Sequence, residues 1–204
     1  LHLLGAVVAF VLVEVWLFSS GLAEPLARSM LSVSWLLVLG GFVVDSWMDS
    51  RVAHRARTVP AQYAALAAYV VAEAIIFVPL LFVAKDSAPG AITRAATVTL
   101  IGFAGLTAVA FLSRKDFSFL GGLLRWGMVL ALVAIVAGAV FGFDLGTWFS
   151  VIMVGLAGGA ILYDTSNVLR RFPVDRHVAA ALELFASVAL MFWYVLRLFL
   201  AFRR

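Results

Sequence analysis

Asp164 lies in Ile161-Leu162-Tyr163-Asp164-Thr165-Ser166-Asn167, at the end of an apolar run that begins near Trp148 and stops before Arg170-Arg171. A carboxylate at the end of a membrane span is costly without a partner or water, so it marks a candidate functional site. The next apolar run supplies Glu183, about a turn and a half in, and Ser187 one turn further on the same face. Asn167 shares the face of Asp164 at i, i+3. The link between the two runs is too short to separate them, which makes them antiparallel neighbours. Asp164, Glu183, Ser187 and Asn167 are therefore expected at similar depth near the cytoplasmic mouth. Two acids held close in low dielectric cannot both ionise cheaply, so this pair would change charge state near neutral pH. The same hard oxygens suit Ca²⁺, bound or transported. The competing reading is a static latch, in which Glu183 pairs with Arg176 or with Arg51, Arg55 or Arg57.

Three further acids fall within or at the rim of apolar runs. Asp45 is close to a loop and is expected in water. Glu14 and Glu73 lie deeper, and each requires a proton, a partner or a cavity. Glu73 is thus a second intramembrane acid of interest. Arg125 and Arg197 lie near span ends, from which long side chains reach the interface.

The elements that must hold these groups follow from composition. The 204 residues are 65% hydrophobic and 13% charged, with a mean hydropathy of +1.11. Soluble domains sit nearer ~45–50% apolar and ~25% charged, so the bilayer must be the solvent for much of this chain. A span needs ~20 apolar residues, and seven segments qualify: 1–18, 31–47, 60–84, 91–112, 119–141, 146–164 and 178–201. The opening segment has no basic n-region and no small-residue cleavage site, and reads as a span rather than a signal peptide. Short links between the segments favour one all-α, seven-transmembrane-helix bundle over 1–204.

Charge placement sets the orientation. Arg51, Arg55, Arg57, Arg114, Lys115, Arg170, Arg171 and Arg176 fall in the second, fourth and sixth links, against Arg28, Lys85, Arg203 and Arg204 on the other side. The richer side is expected to be cytoplasmic, with the N-terminus inside and the C-terminus outside. The net charge of +4 comes from these flanks and forms no continuous stripe, so nucleic acid is excluded as a partner. The chain has no Cys, which excludes disulfides, thiolate catalysis and Cys-ligated metals. Gly102/Gly105, Gly121/Gly122 and Gly155/Gly158/Gly159 recur at close helical spacing and read as helix-packing positions.

Two segments resemble the Bax inhibitor-1 (TMBIM) superfamily of seven-helix membrane proteins. Arg114-Lys115-Asp116-Phe117-Ser118-Phe119-Leu120-Gly121-Gly122 is similar to the family's approach to its fifth helix. Gly159-Ala160-Ile161-Leu162-Tyr163-Asp164-Thr165-Ser166-Asn167 is similar to its sixth-helix ending, and Tyr63 through Pro79 fits its third helix more loosely. Both strong matches look like the bacterial YccA-like branch. The family's calcium-leak members carry two aspartates on the last two helices. The resemblance places Asp164 at the first position and Ser187 at the second, so the two-aspartate sensor is not intact. It maps the family's latching arginine ambiguously onto Arg51, Arg55 or Arg57.

Three functional classes follow. A YccA-like regulator would bind an ATP-dependent membrane protease in a bacterial inner membrane and modulate membrane-protein turnover. The alternative is a pH-sensitive calcium leak gated by protonation around Asp164. An enzyme is disfavoured and no cofactor is expected: no Gly-x-Gly-Asp partner for Tyr163-Asp164 exists, and the three histidines cannot form a His-Glu-x-x-His site. Lys85 and Lys115 are the only lysines, which excludes a retinal Schiff base in the last span.

Overall fold

In a computed structural model, the chain is described at residues 1–32, 58–113, 115–143, 145–173 and 176–202, and every regular element among these is a helix. They are α1 (His2–Ser19), α2 (Ala23–Ser32), α3 (Val59–Ser87), α4 (Ala91–Ser113), α5 (Leu120–Phe141), α6 (Gly146–Arg170) and α7 (His177–Ala201). Six of these, all but α2, are long and apolar enough to cross a membrane. The shortest, α1, has 18 residues, about 27 Å at 1.5 Å per residue, close to the ~30 Å hydrocarbon core. Large apolar side chains such as Leu12, Ile101, Trp126, Leu130 and Trp148 stand exposed on the outside of the helices. In water that would be an aggregation surface, whereas in lipid it is the expected exterior. This is a multi-pass membrane protein.

Two segments differ from expectation. The stretch 21–28 reads as a link, yet Ala23–Ser32 is helical. Ala23 and Ala27 are buried against Leu17 and Val78, with Leu26 packed alongside, and Glu24 pairs with Arg28 at 2.6 Å across one turn. The amphipathic pattern, too polar to register as a span, is what makes this a short surface helix. The sixth span was expected to end at 164, but α6 runs on to Arg170. Most of the expected second span, with Asp45 and the latch candidates Arg51, Arg55 and Arg57, lies outside the described residues.

The chain forms two compact units. The first comprises Leu1–Val83 and Pro173–Phe185. Its core joins Leu17, Ala23, Ala27 and Val78, and the Phe10 ring meets Phe77 edge-on at 5.2 Å and Phe185 at 6.0 Å. The second comprises Ala84–Phe172 and Ala186–Arg204. Here α6 packs against both α4 and α5, and Ala131, Met153 and Tyr194 form a core with Leu156 and Trp193.

Small residues allow this packing. A β-carbon at Gly127 would come within 2.6 Å of Leu156, and one at Gly121 within 2.8 Å of the Tyr163 ring. Of the glycines expected at helix contacts, Gly102, Gly121, Gly158 and Gly159 do face a neighbouring side chain closely, whereas Gly105, Gly122 and Gly155 face open space. Helix α5 ends at Gly142, whose φ of 73° is left-handed and whose N–H donates to the Gly138 carbonyl, a stop that suits glycine alone at little cost.

Candidate functional site

Helix α6 carries Asp164, Thr165, Ser166 and Asn167 in sequence, and all four are buried. Consecutive residues advance by about 100° around a helix, so four in a row face nearly every direction. This turn is enclosed by protein on all sides, which an apolar sequence pattern could not have announced.

Each polar group in such a turn needs a partner. The Ser187 hydroxyl on α7 donates to Asp164 Oδ2 at 2.5 Å, a length typical of a hydroxyl bound to a carboxylate. The two side chains are 8% and 7% exposed. One turn of α6 is thereby tied to the α7 segment of the same unit. Ser166 Oγ accepts the backbone N–H of Phe117 at 3.1 Å, so the α4–α5 link is strapped to the same turn from another direction. Thr165 Oγ1 has no hydrogen-bond partner among the described residues.

The strap is held at its outer edge too. Asp116 Oδ1 accepts the Ser118 N–H at 2.9 Å, and Asp116 Oδ2 meets the Arg171 guanidinium at 3.4 Å. The Ser118 backbone N–H and side chain, then the Arg171 and Arg170 charges, hold the Asp116 carboxyl below its ordinary value. This is an Asx turn, with an aspartate bonding the backbone two residues on. The strap and its Ser166 anchor were not among the expected site residues. Asp116-Phe117-Ser118 was the available signal for the turn, but nothing in the sequence pointed to Ser166 as its anchor.

The expected site residues thus divide. Asp164 and Ser187 meet, and Asn167 is buried on the same turn. Glu183 belongs to the first unit, where it is half-buried on α7. Glu73 is also in that unit and is buried, accepting a hydrogen bond from Tyr69 at 2.9 Å one turn earlier. Glu14 is buried on α1, and neither of its carboxyl oxygens has a hydrogen-bond partner among the described residues.

Calcium takes six to eight oxygens. The Asp164–Ser187 pair offers one carboxylate and one hydroxyl, and no three His, Asp or Glu side chains gather among the described residues. The pair alone does not build a resident calcium site.

The family model described as "Inhibitor of apoptosis-promoting Bax1" matches residues 1–204, the whole chain. The chain belongs to the Bax inhibitor-1 family. Its relatives include the "BI1-like protein" of Arabidopsis thaliana, 30% identical over 114 residues, which covers 52% of this chain and 44% of the relative. "Modulator of FtsH protease YccA" of Escherichia coli is 32% identical over 91 residues, 44% of this chain and 41% of the relative. "Protein LIFEGUARD 4" of Arabidopsis thaliana is 32% identical over 118 residues, 54% and 47%. The chain spans about half the length of the curated relatives it matches. The family resemblance, strong by motif over about half the sequence, extends by family model over all of it. In this Bax inhibitor-1 family member, Asp164 is hydrogen-bonded to Ser187, the residue expected to share its depth on the last helix.

Proposed function

We propose that this protein is a YccA-like regulator of membrane-protein turnover, acting by binding an ATP-dependent membrane protease in a bacterial inner membrane rather than by catalysis. The reading is supported by family membership and by the similarity to the relative named as a modulator of the FtsH protease. The observation that carries it is the Ser187–Asp164 hydrogen bond. A serine hydroxyl does not titrate in any physiological range, so it cannot trade a proton with Asp164 as a second carboxyl would. The last helices are joined by a fixed tie, which suits a stable docking body better than a proton-operated gate. The N-terminus would face the cytoplasm, following the arginine-rich links. The test is affinity purification of the tagged protein from its native membrane in mild detergent. Enrichment of the protease supports the reading, and its absence under conditions that retain other membrane complexes contradicts it.

The second reading, a pH-sensitive calcium leak, draws support from Glu14, Glu73 and Asp164, acids buried within long apolar helices. Intramembrane acids of this kind mark ion and proton pathways by default. Calcium efflux from proteoliposomes at two pH values, with Asp164→Asn alongside, decides it. Flux that rises on acidification and changes in the variant would favour the leak, and no flux in either protein would remove it.

A further inference from the structure

The chain contains three histidines, at 2, 54 and 177. Their spacing forms no metal motif. The fold nevertheless brings two of them together in the first unit, although 175 positions separate them. The rings of His2 and His177 stand with centroids 4.7 Å apart, tilted by 48°. His2 opens α1 and His177 opens α7. Tyr63, in the first turns of α3, completes the group: its hydroxyl lies 2.7 Å from His2 Nε2.

This geometry has the marks of a ligand site rather than of core packing. The rings do not lie in the apolar interior. His2 is partly exposed, His177 is exposed, and Tyr63 is 44% exposed, so water and small ions reach them. Two imidazoles bound through nitrogen to one tetrahedral ion, at about 2.0–2.1 Å each, have ring centres roughly 5 Å apart. The observed centroid separation of 4.7 Å is close to that spacing. A metal-bound imidazole also characteristically donates its other ring N–H to a neighbour that fixes its orientation. The Tyr63 hydroxyl lies at Nε2 of His2 and would accept its N–H in the tautomer whose Nδ1 ligates the ion.

We propose that His2 and His177 bind a late first-row divalent metal ion, with Tyr63 as the positioning residue for the His2 ring. Imidazole nitrogen selects Cu²⁺, Zn²⁺ or Ni²⁺ over the hard, oxygen-seeking Ca²⁺ and Mg²⁺. His2, His177 and Tyr63 are not invoked under Proposed function, and the inference is independent of that reading. No third His, Asp or Glu joins the pair among the described residues. The ion would therefore keep open positions for water or an outside ligand. By bridging the starts of α1 and α7, it would clamp two helix ends of the first unit.

The test is Cu²⁺ titration followed by electron paramagnetic resonance. The purified full chain would carry an N-terminal tag free of histidine, which also keeps a terminal amine away from His2. One equivalent of Cu²⁺ should show hyperfine coupling to two nitrogens, reduced to one in His2→Gln and in His177→Gln. Tyr63→Phe should weaken the affinity while keeping both couplings. Unchanged helical circular dichroism in each variant separates loss of the site from loss of the fold. A wild-type spectrum that persists in the His2→Gln/His177→Gln double variant would overturn the proposal, as would failure of the folded wild type to hold one equivalent.

Discussion

Ser187→Ala removes one oxygen atom and tests the tie between α6 and α7. The deleted hydroxyl donates to Asp164 Oδ2 at 2.5 Å, and both side chains are buried. Hydrogen bonds to a charged group contribute ~1.5–3 kcal/mol in water-soluble proteins. Interhelical hydrogen bonds inside membranes average only ~0.6 kcal/mol and reach ~1.7, because the unfolded chain in lipid also finds partners. The short length and the carboxyl acceptor place the value between the top of the membrane range and the bottom of the soluble one, so about 1–2 kcal/mol is expected. A double-mutant cycle isolates that quantity: wild type, Ser187→Ala, Asp164→Ala and the pair, each unfolded thermally or by denaturant in one detergent. The single variants should each lose stability, and the double should lose less than their sum by about 1–2 kcal/mol. Additive losses within ~0.3 kcal/mol would show that the two side chains are not energetically coupled. The tie would then be no part of what holds this unit together.

Other outcomes follow from the same geometry. Gly121→Ala pushes a β-carbon to 2.8 Å from the Tyr163 ring and should cost about 1–3 kcal/mol, whereas Gly122→Ala next to it meets open space and should gain up to ~1 kcal/mol of helix propensity; melting temperatures compare them. Asp116 has a depressed folded-state pKa, so the stability it lends the strap is complete above its ordinary value of 3.8 and is lost as pH falls below that value through the depressed one. Amide protection factors at Phe117 and Ser118, corrected for intrinsic exchange, should hold through neutral pH and fall only in that acid window, and Asp116→Asn should lower them at neutral pH. Tyr69→Phe removes the donor to buried Glu73 and should destabilise the first unit by about 1 kcal/mol, read by thermal unfolding.

Much of the architecture was legible because lipid imposes a simple rule: long apolar runs must be helices. Five of the expected spans coincide with helices to within a few residues, and the sixth matches at its start but not at its end. Its boundary was misjudged because Asp164 to Asn167 look like an exit into water, and only tertiary enclosure shows that they are buried. The helix Ala23–Ser32 escapes the same rule because a short amphipathic helix carries no apolar run and announces itself through pairs such as Glu24–Arg28. At the site, helical periodicity was enough to bring Asp164 and Ser187 to one place, because short links force neighbours. The strap across Ser166 joins residues 49 positions apart, and the His2–His177 contact joins opposite ends of the chain. No local pattern encodes such pairings.

On the proposed reading, this family member acts on membrane-protein turnover through a fixed helical body tied at Asp164. The most direct measurement is the half-life of a membrane substrate of the protease in cells lacking the chain, compared with cells carrying wild type or Ser187→Ala at matched levels. The account expects wild type to change the half-life and the variant, with its tie loosened, to do so less effectively. Identical decay in all three strains, with the chain present in the membrane, would contradict it.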